Sequence, residues 1–301
     1  MPESITPMHP DEHPIDAALV RRLLAEQFPQ WAGPEPVRVR STGTDNAMFR
    51  LGERLAVRLP RVADAVGSIT REQEWLPRLG PLLPRSVPLP VATGRPGAGF
   101  PWPWTVCEWA EGDNPVVGGL AEPDGLATDL GEFVAALHAV RLPGGPPAGR
   151  GRPLARRDAG TRAALDEAVR LGEPLDREAL LTIWQAALDA PGWTGPPVWL
   201  HGDLAPGNLL LDADQRLTAV IDFGAMGTGD PAVDLYPAWN LLPAASRPAF
   251  RAAAGEDDAT WVRARGWALS IALIQLPYYR DRNPALAASS RHVIGQLLKE
   301  D

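Results

Sequence analysis

Apolar residues recur at every third or fourth position over residues 14–28, where Ile15, Leu19, Leu23, Leu24 and Phe28 share one face; this spacing predicts an amphipathic helix. The period then changes. Short strand-like runs at 37–40, 47–51 and 55–59 are broken by Gly43-Thr44-Asp45 and Gly52-Glu53, the pattern of strands joined by turns. Helical spacing returns over 68–79. Prolines crowd residues 81–103 and exclude a long helix there, and the apolar run 104–109 reads as a further strand. Past Glu111-Gly112-Asp113 the helical period dominates, over 126–140, 161–171, 176–190, 261–276 and 285–298. A Gly/Pro/Arg-rich loop covers 142–153, a short buried strand is expected at 198–200, and runs at 208–211 and 218–221 flank the turn Asp212-Ala213-Asp214-Gln215. The chain thus predicts an α+β fold of two lobes. A β-rich lobe spans 1–110, a larger mainly helical lobe spans 111–301, and the hinge lies near 107–112.

Composition narrows the chemistry. The 301 residues are 45% hydrophobic and 22% charged, ordinary for a globular protein. A net charge of −8 argues against nucleic acid or anionic membrane as partner. The single cysteine, Cys107, excludes an internal disulfide and a cysteine zinc cluster. Residues 1–14 lack the apolar core of a signal peptide, and the run at 267–276 is too short to span a bilayer, so a cytoplasmic protein is expected. Of the 29 Lys and Arg, 28 are Arg, because Lys299 is the sole lysine. A P-loop needs its lysine beside the glycines, and a Schiff-base cofactor needs one in a pocket. Both classes fall away, and any phosphate clamp must be built from arginine and backbone.

The densest chemistry lies in His201-Gly202-Asp203-Leu204-Ala205-Pro206-Gly207-Asn208, followed by Asp222-Phe223-Gly224. Asp203 and Asn208 stand as in H-x-D-x-x-x-x-N, and Asp222 opens a D-F-G. If 208–211 pairs with 218–221, Asn208 falls nearly opposite Asp222. A carboxylate and an amide oxygen at one end of a hairpin suit Mg²⁺, which takes oxygen ligands and keeps phosphate oxygens in its remaining positions. Asp203 is then left to accept the proton of an attacking hydroxyl. H-G-D or D-F-G alone would be an ordinary turn; their order with a hairpin between them makes the signal specific.

With these motifs the chain resembles the aminoglycoside phosphotransferase family, from about Val37 to the C-terminal helices and most densely over 199–235. The resemblance implies a protein-kinase-like fold and transfer of phosphate from a nucleoside triphosphate, ATP or GTP, to a hydroxyl. By position it implies Asp203 as the catalytic aspartate and Asn208 and Asp222 as the Mg²⁺ ligands. Asp230, in the Gly229–Leu235 stretch that also matches, reads as a helix cap, and Asp234 as a brace of the catalytic loop. His201 and His138 read as structural. The segment Ser41-Thr42-Gly43-Thr44-Asp45-Asn46 looks like the family's nucleotide-positioning loop, with Thr42, Gly43, Thr44 and Asn46 as its contacts.

A kinase strand lysine that touches the α- and β-phosphates pairs with a helix glutamate. Here Arg58 takes that place and Glu72 is its expected partner, with Glu74 as competitor. A guanidinium forks to two oxygens where an ammonium is a point charge, so the exchange is not neutral. The connector through Glu108, Trp109 and Ala110 is expected to offer backbone groups to the base. The arginines 150, 152, 156, 157 and 162 read as a solvated loop.

The acceptor is expected to be a small, hydroxylated molecule. An aminoglycoside, as in antibiotic resistance, comes first, with Asp257, Asp258 and Asp281 as candidates for gripping a cation. Kinases of macrolides, choline, homoserine, methylthioribose or sugar-amines are alternatives on the same scaffold. A non-catalytic nucleotide-binding regulator is the rival from another class, and a nucleic-acid binder the third.

Overall fold

The computed structural model describes residues 12–39 and 45–300. The chain divides into two units. The first holds the described residues up to Pro81, with Ser86–Glu111 and Ala219–Gly224; the second holds Leu82–Arg85, Gly112–Thr218 and the rest from Ala225.

In the first unit, α1 (Ala17–Gln27) starts at Asp16, whose carboxylate accepts the Leu19 N–H at 2.7 Å. Strands β1 (Pro36–Arg38), β2 (Asn46–Leu51) and β3 (Leu55–Pro60) follow, then α2 (Val66–Leu79), β4 (Pro90–Gly94) and β5 (Trp104–Glu108). They form one antiparallel sheet in the order β1-β2-β3-β5-β4. The predicted strands are present; β4 is an addition within the proline-rich stretch. It sits at the sheet edge, where Pro90 leaves no ladder hydrogen bond unmade in the interior. Leu19, Val20, Leu23 and Leu24 of α1 share a core with Phe49, Val57, Leu59, Phe100, Trp104 and Val106. Helix α2 buries Ile69, Glu72, Leu76 and Leu79, so its apolar stripe carries one carboxylate inward. Gln73 Nε2 donates to Thr105 Oγ1 at 2.6 Å and ties the helix to β5.

The second unit is mainly helical. It contains α3 (Pro123–Ala139), α4 (Asp158–Arg170), α5 (Arg177–Asp189), β6 (Val198–Leu200) and β7 (Leu209–Leu211). After β8 (Leu217–Val220), whose last residues belong to the first unit, come β9 (Gly227–Gly229), α6 (Pro237–Asn240), α7 (Arg247–Ala254), α8 (Asp258–Tyr279) and α9 (Pro284–Leu297). Strands β7 and β8 pair as the turn at 212–215 predicts, and β6 pairs with β9, a glycine-rich strand that the alternation of residues does not reveal. Buried Asp129 on α3 accepts from Arg216 Nε at 2.8 Å, Leu217 N at 3.0 Å and Arg85 Nη2 at 2.9 Å. One carboxylate thereby fixes the start of β8 against α3. Among the described residues, no helix is long and apolar enough to cross a membrane.

Candidate active site

Strand β6 ends at Leu200, and the next three residues turn sharply. Gly202 has φ +80°, and a Cβ there would meet Ala225 O at 2.8 Å, so both torsion and space call for glycine. The turn is held from beneath by Asp234, fully buried, whose two oxygens accept the N–H groups of His201 at 2.8 Å and Gly202 at 2.7 Å. His201, also buried, accepts the Asp203 N–H on Nδ1 at 3.2 Å. Asn208 Nδ2 donates to Asp203 O at 2.8 Å, and Asn240 Nδ2 to Leu204 O at 2.8 Å. Every one of these bonds lands on backbone, so the loop is fixed while the half-exposed Asp203 carboxylate stays available.

Behind Asp234 stands His138. Its Nε2 lies 3.4 Å from Asp234 and its Nδ1 2.8 Å from Glu256. Burial opposes charge on this imidazole, yet the hydrogen bonds and charges of the two carboxylates prevail and push its pKa up to about 9. His138 is therefore a buried cation behind the 201–208 loop. Asp230 caps the 3₁₀ turn Pro231–Leu235 by accepting Ala232 N at 3.0 Å, and receives both Nε and Nη2 of Arg263 at 2.9 and 3.1 Å.

In the first unit, Arg58 on β3 is buried. Its Nη1 donates to Glu72 at 2.6 Å and its Nη2 to Asp222 at 3.0 Å. Burial works against the Arg58 charge, but Glu72 and Asp222 more than offset it, so its pKa lies above the ordinary arginine value. Glu72, not Glu74, is the partner. Asp222 has φ +63°, a left-handed conformation uncommon outside glycine, in which aspartate and asparagine are enriched. Its side chain is 41% exposed. Arg71 Nη1 bonds Gly224 O and anchors this segment to α2.

Other expected positions fall as follows. Thr42, Gly43 and Thr44 lie outside the described residues; Asn46 opens β2 and is buried. The N–H of Glu108 donates to Leu89 O at 3.0 Å and that of Trp109 to Arg54 O at 2.8 Å, so these two donors are committed within the unit rather than offered to a base. Arg50 lies over the Trp109 ring at 4.5 Å, and Ala110 is half-buried. Cys107 is buried, and burial raises its thiol to about 11. Asp257 caps α8, accepting the Thr260 N–H at 2.7 Å; Asp258 pairs with Arg251; Asp281 is exposed in the turn after α8.

The solvated reading of the arginine loop needs correction. Arg150 Nη1 bonds Asp203 Oδ1 and reaches Gly202 O at 3.1 Å. Arg157 Nε donates to Ser270 Oγ at 2.7 Å, with its guanidinium 5.1 Å from the Trp267 ring centroid. The loop's composition suggested solvation, but Asp203 is a carboxylate that attracts a cation, and it lies far away in sequence. Gly151, next to Arg150, is the signal in the chain that marks a close backbone approach, since a Cβ there would meet Gly229 Cα at 2.9 Å.

Over residues 36–267 the chain matches the phosphotransferase enzyme family. Among solved structures, the GDP complex of wild-type aminoglycoside 2'-phosphotransferase-IIIa is similar with a TM-score of 0.76 at 20% identity, covering 94% of this chain and 99% of that one. The GDP and kanamycin complex of APH(2")-IIia gives 0.74 at 21%, covering 92% and 97%. The apoenzyme of macrolide 2'-phosphotransferase MphH from Brachybacterium faecium gives 0.61 at 24%, covering 96% and 99%. These likenesses concern the fold. No curated relative matches the chain.

Proposed function

The chain belongs to the phosphotransferase enzyme family and has its protein-kinase-like fold, and we propose that it is a Mg²⁺-dependent kinase that moves the γ-phosphate of ATP or GTP to a hydroxyl of a small molecule. The observation that carries this reading is the Asp203 carboxylate, half-exposed on a loop whose backbone is fixed by Asp234, His201 and Asn208. Asp203 accepts the proton of the acceptor hydroxyl. The hydroxyl oxygen forms a bond to the γ-phosphorus as the bond from that phosphorus to the β-bridging oxygen breaks, and the nucleoside diphosphate leaves with the electron pair.

By their place in the motifs, Asn208 and Asp222 would be the oxygen donors for Mg²⁺. The donor set fits: Asn208 spends its amide N–H on Asp203 O and keeps its oxygen, while Asp222 is open to solvent on one side. When bound, Mg²⁺ neutralises charge on the bridging phosphate oxygens. Arg58, held by Glu72, is the cation for the α- and β-phosphates. Thr42, Gly43, Thr44 and Asn46 remain the proposed nucleotide contacts by their place in the motif, with Ala110 proposed for the base.

For the acceptor, an aminoglycoside is supported by the kanamycin complex of the similar APH(2")-IIia. A macrolide is the alternative acceptor, supported by the similar macrolide 2'-phosphotransferase MphH. Of the acidic candidates, Asp257 caps α8 and Asp258 pairs with Arg251 at the surface, while Asp281 is exposed in the turn after α8. Mg²⁺-dependent nucleotide consumption across aminoglycosides, macrolides and hydroxylated metabolites decides it, with Asp203→Asn as the blank. Turnover with one class, lost in the blank, establishes reaction and acceptor together. Nucleotide binding without turnover on any acceptor would favour a regulator and overturn the kinase reading.

A further inference from the structure

The bonds that fix the catalytic loop all hold its backbone, which leaves the torsions of the Asp203 side chain to be set by something else. Among the described residues, the one side chain bonded to that carboxylate is Arg150, through Nη1 on Oδ1, with Gly202 O as its second acceptor. The root of Arg150 is itself registered to the loop. Ala148 N donates to Thr228 O at 2.9 Å, Asp230 N donates to Gly151 O at 2.9 Å, and Pro147 bridges Thr228. A Cβ on Gly151 would lie 2.9 Å from Gly229 Cα, and one on Gly229 would lie 2.6 Å from Gly151 Cα, so the two backbones touch with no room for side chains. Strand β9 pairs in turn with β6, Leu200 opposite Gly227, and β6 runs directly into His201. Arg150 and Asp203 thus hang from one short stack of backbone.

We propose that Arg150 is a positioning residue for phosphoryl transfer: it holds Oδ1 of Asp203, turns Oδ2 toward the acceptor hydroxyl, and offsets the carboxylate charge as the nucleotide phosphates approach. The proposal rests on the transferase reading of Asp203. The cation is permanent, since the attraction of Asp203 outweighs the burial that opposes it and keeps the Arg150 pKa above its ordinary value. One nitrogen, Nη1, gives its two N–H donors to a side-chain oxygen and a backbone oxygen; a lysine at this position would keep charge and donors but lose the fixed plane that aims them.

The test compares steady-state kinetics of Arg150→Gln, Arg150→Ala and Arg150→Lys with the intact protein, on the acceptor that it turns over best. Arg152→Gln, an exposed change in the same loop, is the control. The kcat of Arg150→Gln is expected to fall about 10²-fold, the cost of a misplaced catalytic group. KM for nucleotide and acceptor should stay within about twofold, as for a group that acts in the transition state. Arg150→Lys should fall between, and guanidinium ion in the assay should restore part of the Arg150→Ala rate, which a merely structural defect would not show. Unchanged kcat in Arg150→Gln would overturn the positioning role while leaving the kinase reading intact. So would a rise in acceptor KM with kcat unchanged, which would make Arg150 an acceptor ligand. An intact protein that transfers phosphate to no acceptor would overturn the kinase reading, and the positioning role with it.

Discussion

Two arginine–carboxylate pairs carry most of the candidate chemistry, and they are built on opposite terms. Arg58 and Glu72 are shut away, with side chains only 6% and 5% exposed, whereas Arg150 and Asp203 keep 29% and 36%. A buried pair stands only if both charges are present, because either one alone is left in a medium that does not solvate it. A half-exposed pair can lose a member to water at small cost. The first pair is therefore part of the fold as well as of the site, while the second is free to serve the reaction.

The sharpest way to break that contrast is Glu72→Ala. It leaves the buried Arg58 charge with only the partly exposed Asp222 as partner and should cost about 3 kcal/mol of stability, the low end for breaking a buried pair, read by chemical denaturation. A loss no greater than that of Asp203→Ala would erase the distinction. Asp203→Asn should do the reverse, keeping its denaturation midpoint near that of the intact protein while turnover falls at least ~10²-fold. Near-full activity would remove Asp203 from the role of base.

A third charged group, His138 between Asp234 and Glu256, sharpens the comparison by pH. Its pKa is raised from 6.5 to about 9, so the stabilisation is fully present below about 6.5 and is lost as pH rises through about 9. Melting temperature should decline over that window, and His138→Gln should flatten the decline. An equal slope in the variant would place the pH dependence elsewhere. The smallest effect is expected from Asp257→Ala, which removes the cap of α8 and should cost about 1 kcal/mol of stability. If acceptor KM rises instead while stability holds, Asp257 binds substrate after all.

Much of the candidate site is legible in the chain because its parts are local. Asp203 and Asn208 lie within one loop, Asp222 follows a short hairpin, and Asp230 and Asp234 stand where a cap and a brace would be needed. The same holds for α1 and α2, whose apolar stripes repeat at helical spacing. What escaped was non-local or poor in side-chain signal. Strand β4 hides among prolines that only an edge tolerates, and β9 is Gly227-Thr228-Gly229, with almost no side chains to alternate. Arg150 sits in a loop whose composition says solvent, and its contact with Asp203 appears only when β6 and β9 bring that loop to the Asp203 turn.

The guanidinium at position 58 has a consequence for covalent reagents. Nucleotide analogues that acylate a kinase's phosphate-contacting amine need a nucleophilic nitrogen, and Arg58 stays protonated, buried and doubly bonded. The sole side-chain amine is Lys299, near the C-terminus. Amine-directed affinity labels built on ATP would pass over the proposed nucleotide site, and inhibitors whose selectivity depends on capturing that amine would spare the protein.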